Sequence, residues 1–342
     1  SLNALNAGGD SYNTAVGYGA GSVLTTGTAN TLVGGLAGDA LTTGSNNVAL
    51  GYLALSTEDT GNKNTAIGYR ALKDQNYGVD NYNVAVGFDA GLSVTTGTHN
   101  TILGALAGDA LTTGSYNVAL GWGALSTEDA HGKNVAIGYN SLVAQDAGAD
   151  AYNVAVGYES GRHLTTGLYN TVLGGEALLT NVDGDKNTAI GFRALKSFEA
   201  DTDGHGNNTA VGANAAENMS TGTENVAIGQ SAIGSGATTG NNNIAIGASA
   251  GNSLTSGEAN ALIGKFAGDA LTTGSNNVAI GYEALTTEDE HGRNIAIGYT
   301  ALSQLNAGAE GYNIAIGHSA GAQVTTGTGN TIVGGLAGDA LT

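Results

Sequence analysis

Aromatic side chains recur immediately after a glycine along this chain, at Tyr18, Tyr52, Tyr69, Phe88, Trp122, Tyr139, Tyr158, Phe192, Tyr282 and Tyr299. Rings in such a row have two uses. Exposed ring faces bind sugars, and rings stacked on neighbouring strands stabilise a sheet without any ligand. Stacked coils would bring Tyr52, Tyr69 and Phe88 into one ladder and Trp122, Tyr139 and Tyr158 into another. These six are the candidate site residues, as glycan contacts or as a structural aromatic ladder.

Acidic turns recur as well, at Glu58-Asp59, Glu128-Asp129 and Glu288-Asp289-Glu290, each followed by Lys63, Lys133 or Arg293. The expected chemistry is exposed ion pairing of small value. Calcium is the sharper alternative, with oxygen ligands clustered at Asp201, Asp203 and Asn207 or at Asp183 and Asp185, but neither spacing completes a calcium-loop motif. The six histidines, His99, His131, His163, His205, His291 and His318, occupy mostly different registers, so no metal ladder follows. No nucleophile elbow, phosphate loop or pair of catalytic carboxylates stands in a unique setting. No enzyme activity, catalytic residue, metal or cofactor is expected from this segment.

What must position these side chains is a repeat. Its core is a pentapeptide, read first at Asn47-Val48-Ala49-Leu50-Gly51, and anchor asparagines recur nineteen times from Asn13 to Asn330, mostly 17 residues apart with occasional steps of 18, 19 or 21. A fixed period in this range is the signature of a stacked array, in which each repeat contacts its neighbours. Four coils make a 70-residue superrepeat, as from Asn13 to Asn83 and Asn83 to Asn153, and residues 187–242 are irregular before the order resumes. Extra residues are expected to bulge at one corner, because lengthening a turn leaves strand register intact. The whole of 1–342 reads as one continuous repeat array, with partial coils at both ends.

Side chains alternate between the faces of a strand. The second and fourth pentapeptide residues, mostly β-branched or aliphatic, share one face; the third and fifth, mostly Ala and always Gly, share the other. A strand apolar on both sides is covered on both. The branched face is assigned to the inside of a narrow coil and the Ala/Gly face to a second contact, although the alternation itself does not decide which is which. Gly and Asn near each coil end, as in Thr43-Gly44-Ser45-Asn46 and Thr273-Gly274-Ser275-Asn276, are expected in left-handed turns. The anchor asparagines are expected to stack as an amide ladder.

Composition sets further bounds. A net charge of −19 disfavours binding to a phosphate backbone, so nucleic acid is not an expected partner. Cysteine and proline are absent; the first rules out disulfide and thiol chemistry, and the second suits backbone N–H groups committed to ladders. No apolar run reaches membrane-spanning length, so no membrane insertion is expected. A thin coil burying about two large aliphatics offsets little of the cost of ordering its backbone, which favours an oligomer with rotational symmetry.

Asn47-Val48-Ala49-Leu50-Gly51-Tyr52-Leu53-Ala54 and Asn243-Ile244-Ala245-Ile246-Gly247-Ala248-Ser249-Ala250 resemble the repeats of trimeric autotransporter adhesin heads of the YadA-like type, and similar repeats occur in bacteriophage tail fibres. The resemblance extends over essentially the whole chain, although the common coil is longer than that family's usual repeat. It implies an all-β, left-handed parallel β-roll, that is, a β-solenoid of about nineteen 17-residue coils assembled as a parallel homotrimer. It further implies attachment to a cell-surface glycan or protein receptor, at an extracellular or virion surface. Two other readings are a monomeric solenoid binding glycan, calcium or ice through a flat face, and a purely structural extracellular filament. Thr25-Thr26 and Thr42-Thr43 motivate ice, but Glu58-Asp59 interrupts that row.

Overall fold

The computed structural model describes residues 10–341 except 201 and 203. The chain is an all-β parallel β-solenoid of about nineteen turns with roughly 17 residues per turn. It divides into two compact units, Ser1–Tyr169 and Asn170–Thr342. The first holds strands β1 (Thr14–Val16) to β9 (Val154–Val156), and the second β10 (Thr171–Leu173) to β19 (Thr331–Val333), one three-residue strand per coil.

Within each unit every strand pairs in parallel with the next, like residue against like: Val48 on Thr65, Ala49 on Ala66, Leu50 on Ile67. Register survives the long coils. Thr65 still faces Val84 and Thr188 still faces Thr209, so the extra residues are absorbed in the turns, as expected.

The faces are the reverse of the sequence assignment. Ala49, Ala66, Ala119 and Ala136 are fully buried inside the coil, whereas the flanking branched residues point outward and stay partly exposed, with Leu50 at 44%. The coil is too narrow for a row of branched residues, and its interior is filled by Ala at the third pentapeptide position, a second Ala such as Ala54, and a Leu such as Leu55 or Leu24. Interior volume is traded between neighbouring positions and neighbouring coils: Gly91 leaves room for Ile102 and Leu72 of the adjacent coils. Where the third position is large, as at Leu32, Ile102 and Leu262, a glycine follows six residues later; a Cβ on Gly38, Gly108 or Gly268 would press on that same side chain.

The pentapeptide glycine has a separate reason. At Gly51 φ is +143°, and a Cβ there would overlap the carbonyl of Gly68 in the next coil. Asn46 and Asn276 adopt the left-handed turn conformation as expected, with φ of 59° and 60°. Gly44 and Gly274 do not; they are small because the backbones at Gly61 and His291 lie against them.

The anchor asparagines are buried and form a ladder with a particular bond pattern. Within each unit Oδ1 accepts the backbone N–H of the next anchor, as Asn30 does from Asn47 at 2.9 Å and Asn83 from Asn100 at 2.9 Å. Each Nδ2 typically donates to a turn carbonyl fourteen residues on, as Asn100 does to Gly114 at 2.8 Å. Direct amide-to-amide contacts supplement this at some rungs, such as Asn260 to Asn243 at 3.0 Å. At Asn64 and Asn134, which open 19-residue coils, the longer turn carries the carbonyl away and Nδ2 has no partner.

Asn100→Ala would strand the Gly114 carbonyl and the Asn117 N–H inside the coil, at roughly 1–3 kcal/mol for each group. A urea titration followed by circular dichroism should show a clearly lowered midpoint, whereas the same change at Asn64, already short of one bond, should cost less.

Candidate functional surface

Burial alternates residue by residue through each strand: Asn81, Asn83 and Ala85 are buried, while Tyr82 and Val84 are exposed. The outward positions therefore form a stripe of aliphatic side chains, among them Leu50, Val84, Leu103 and Leu120 in the first unit and Leu173, Ile228, Ile244 and Ile263 in the second. Scattered exposed aliphatics are ordinary, but a contiguous run repeated on successive rungs marks an interaction surface.

Aromatic stacks accompany the stripe. Tyr52, Tyr69 and Phe88 stack with centroids 5.7 and 5.1 Å apart, and Trp122, Tyr139 and Tyr158 with centroids 5.1 and 5.4 Å apart. All six rings are exposed. In the second unit Tyr282, Tyr299 and His318 continue the pattern.

A second ladder was not anticipated. It uses the residue just before the anchor Asn, where Tyr82, His99 and Tyr116 stack at 5.0 Å each and Tyr152 stacks on Tyr169 at 5.7 Å. Lys63 and Lys133 place their ammonium groups over the first ring of each stack, at 4.8 and 4.9 Å. The signal was present in the 17-residue spacing of Tyr82, His99 and Tyr116. It becomes visible once histidine is counted as a flat ring and not only as a metal ligand.

The acidic turns differ from the expected exposed ion pairs. Lys63 and Lys133 instead pair with acids of the following coil, Asp80 at 2.7 Å and Asp150 at 2.6 Å, and both also reach a tyrosine hydroxyl. Glu58, Glu128 and Glu288 are fully buried and close their own turns. Glu58 Oε1 accepts the Gly61 N–H at 2.7 Å, and its Oε2 accepts from Tyr77 N–H and the Asn81 amide. Burial pushes all three carboxyls above the ordinary value of 4.5, against a downward pull from their backbone donors.

Of the calcium candidates, Asp201 and Asp203 lie outside the described residues. Among the described residues Asp183 and Asp185 join no group of three potential ligands, and that condition is met by Glu128, Asp129 and His131. A polar groove of about 200 Å³ lies in the irregular coils, lined by His205, Thr221, Thr223, Thr239 and Asn241. No helix among the described residues is long and apolar enough to cross a membrane. Compared with models of protein families and with curated proteins, the chain matches none.

The raised carboxyls fix a pH dependence. Because the folded chain holds these protons more tightly than the unfolded chain, stability from these groups increases as pH falls through their raised values, and the gain is complete below about 4.5. The contribution of these groups to the urea midpoint should rise as pH is lowered from neutral toward 4.5, and Glu58→Gln should flatten that rise.

Proposed function

We propose that this chain is a structural and adhesive segment of an attachment fibre, a parallel homotrimer of left-handed β-rolls in which residues 1–342 form one continuous array. The observation that carries this reading is the outward aliphatic stripe, repeated rung after rung with Leu103 and Leu120 among its members. A stripe of this kind lowers its free energy by leaving water, and rotational symmetry covers the same stripe on every chain at once. The resemblance of the pentapeptide coils to YadA-like adhesin heads and to phage tail fibres supports the trimer and the attachment role. It also supports an extracellular or virion-surface location and a cell-surface glycan or protein as receptor.

The exposed aromatic stacks favour adhesion over a purely structural filament, since Tyr52, Tyr69, Phe88, Trp122, Tyr139 and Tyr158 offer ring faces of the sort that sugars pack against. The concentration of chemistry in turns and on the outer face, with a tightly filled interior, favours a non-enzymatic role.

Sedimentation velocity on the whole chain should give a mass about three times 33.6 kDa; a species at 33.6 kDa would sink the trimer. The double variant Leu103→Glu, Leu120→Glu should sediment as a monomer with an unchanged far-ultraviolet spectrum. On a glycan array the wild type should bind and Trp122→Ala should bind more weakly, whereas wild-type silence there, with the trimer intact, would favour the filament or a protein receptor.

A further inference from the structure

Glu128 is fully buried, yet only one of its oxygens is well used. Oε1 accepts the His131 backbone N–H at 3.0 Å, while Oε2, shielded from solvent, has only the Ala147 N–H near the carboxylate and falls short of a well-formed hydrogen bond. The His131 side chain folds back over this carboxylate, its Nδ1 is 3.6 Å from Oε1, and that nitrogen is also shielded and without a hydrogen-bond partner. The exposed Asp129 carboxylate closes the group, with one donor atom from each of the three residues within 4.8 Å of the others. Two buried donor atoms short of hydrogen bonds, grouped with a third movable one, are an arrangement a cation would complete.

We propose that Glu128, Asp129 and His131 bind a divalent transition-metal ion of the zinc class. The donor set selects the ion. An imidazole nitrogen with two carboxylate oxygens suits zinc, at bond lengths of about 2.0–2.2 Å, and leaves one position for water; calcium and magnesium prefer all-oxygen shells. Asp129 is exposed and swings inward by rotation about its own side-chain bonds. The ion would supply the positive charge that the buried Glu128 carboxylate lacks.

The chain carries two built-in comparisons. At Glu288, Asp289 and His291 the histidine again sits 3.6 Å from the buried carboxylate, but the Ala307 N–H makes a well-formed bond to Glu288 Oε2 at 3.1 Å where its counterpart Ala147 does not at Glu128, so this copy binds more weakly. At Glu58-Asp59-Thr60-Gly61 the histidine is replaced by Gly61 and both oxygens accept hydrogen bonds, so no ion binds.

The test is calorimetric titration of the full chain, stripped with chelator, against zinc chloride and against calcium chloride. One tight zinc site per chain is expected, lost in His131→Asn and retained in His291→Asn. His131→Asn keeps the backbone N–H that Glu128 uses, so it should fold, and circular dichroism checks this. X-ray absorption at the zinc edge of the wild type should show one imidazole among oxygen neighbours, a readout that does not depend on any variant. Tight binding unchanged in His131→Asn, an edge spectrum without imidazole, equal affinity for calcium, or no zinc binding would each overturn the site and leave an ordinary glutamate–histidine contact.

Discussion

A coil this thin has little apolar volume, and what fixes its geometry is the hydrogen bonding of the buried anchor asparagine. One side chain satisfies a backbone N–H on the next rung and a turn carbonyl fourteen residues on, as Asn100 does with Asn117 and Gly114. A buried peptide group left unpaired is costly, so the turn and the strand are locked to each other through that amide. Aspartate is isosteric but offers no donor for the carbonyl, and glutamine is one methylene too long for a bond made from directly below the strand. The invariance of Asn within the repeat follows from this double duty.

With the asparagine row fixed, the remaining positions have restricted roles. Alanine lies inside because the strand passes close to the opposite wall, and the pentapeptide glycine lies where the next coil's carbonyl leaves no room for a Cβ. Branched residues are left for the outer face, where they favour extended backbone and remain in part exposed to water. Buried glutamates at 58, 128 and 288 show the same economy: each lies inside a turn, where its carboxylate accepts the backbone N–H three residues on.

Much of this was legible in the residues. The period, the absorption of extra residues in turns and the stacking of Tyr52, Tyr69 and Phe88 follow from spacing, and the parallel strands were what the resemblance of the coils implied. The inside and outside of the coil did not, because alternation is symmetric: it separates two faces without naming them. A volume argument would have named them. Leu32 with Gly38, Ile102 with Gly108 and Leu262 with Gly268 pair a large residue with a glycine that meets it, which points to one shared confined space. The acidic turns were misread for a related reason, since Glu58 and Asp59 look equally solvated in a sequence, and only the path of the turn sends one inward. The tyrosine and histidine stack before the anchor was hidden because its members are chemically mixed.

In-register parallel pairing also has a kinetic consequence. Val48 meets Thr65, and Val118 meets Val135, across the same 17-residue span. The entropy of closing a loop depends on its length, so each added coil docks at the same cost wherever it falls within a unit. Folding time should then depend little on how many coils have been strung together, which leaves the number of 70-residue blocks free to change by tandem duplication.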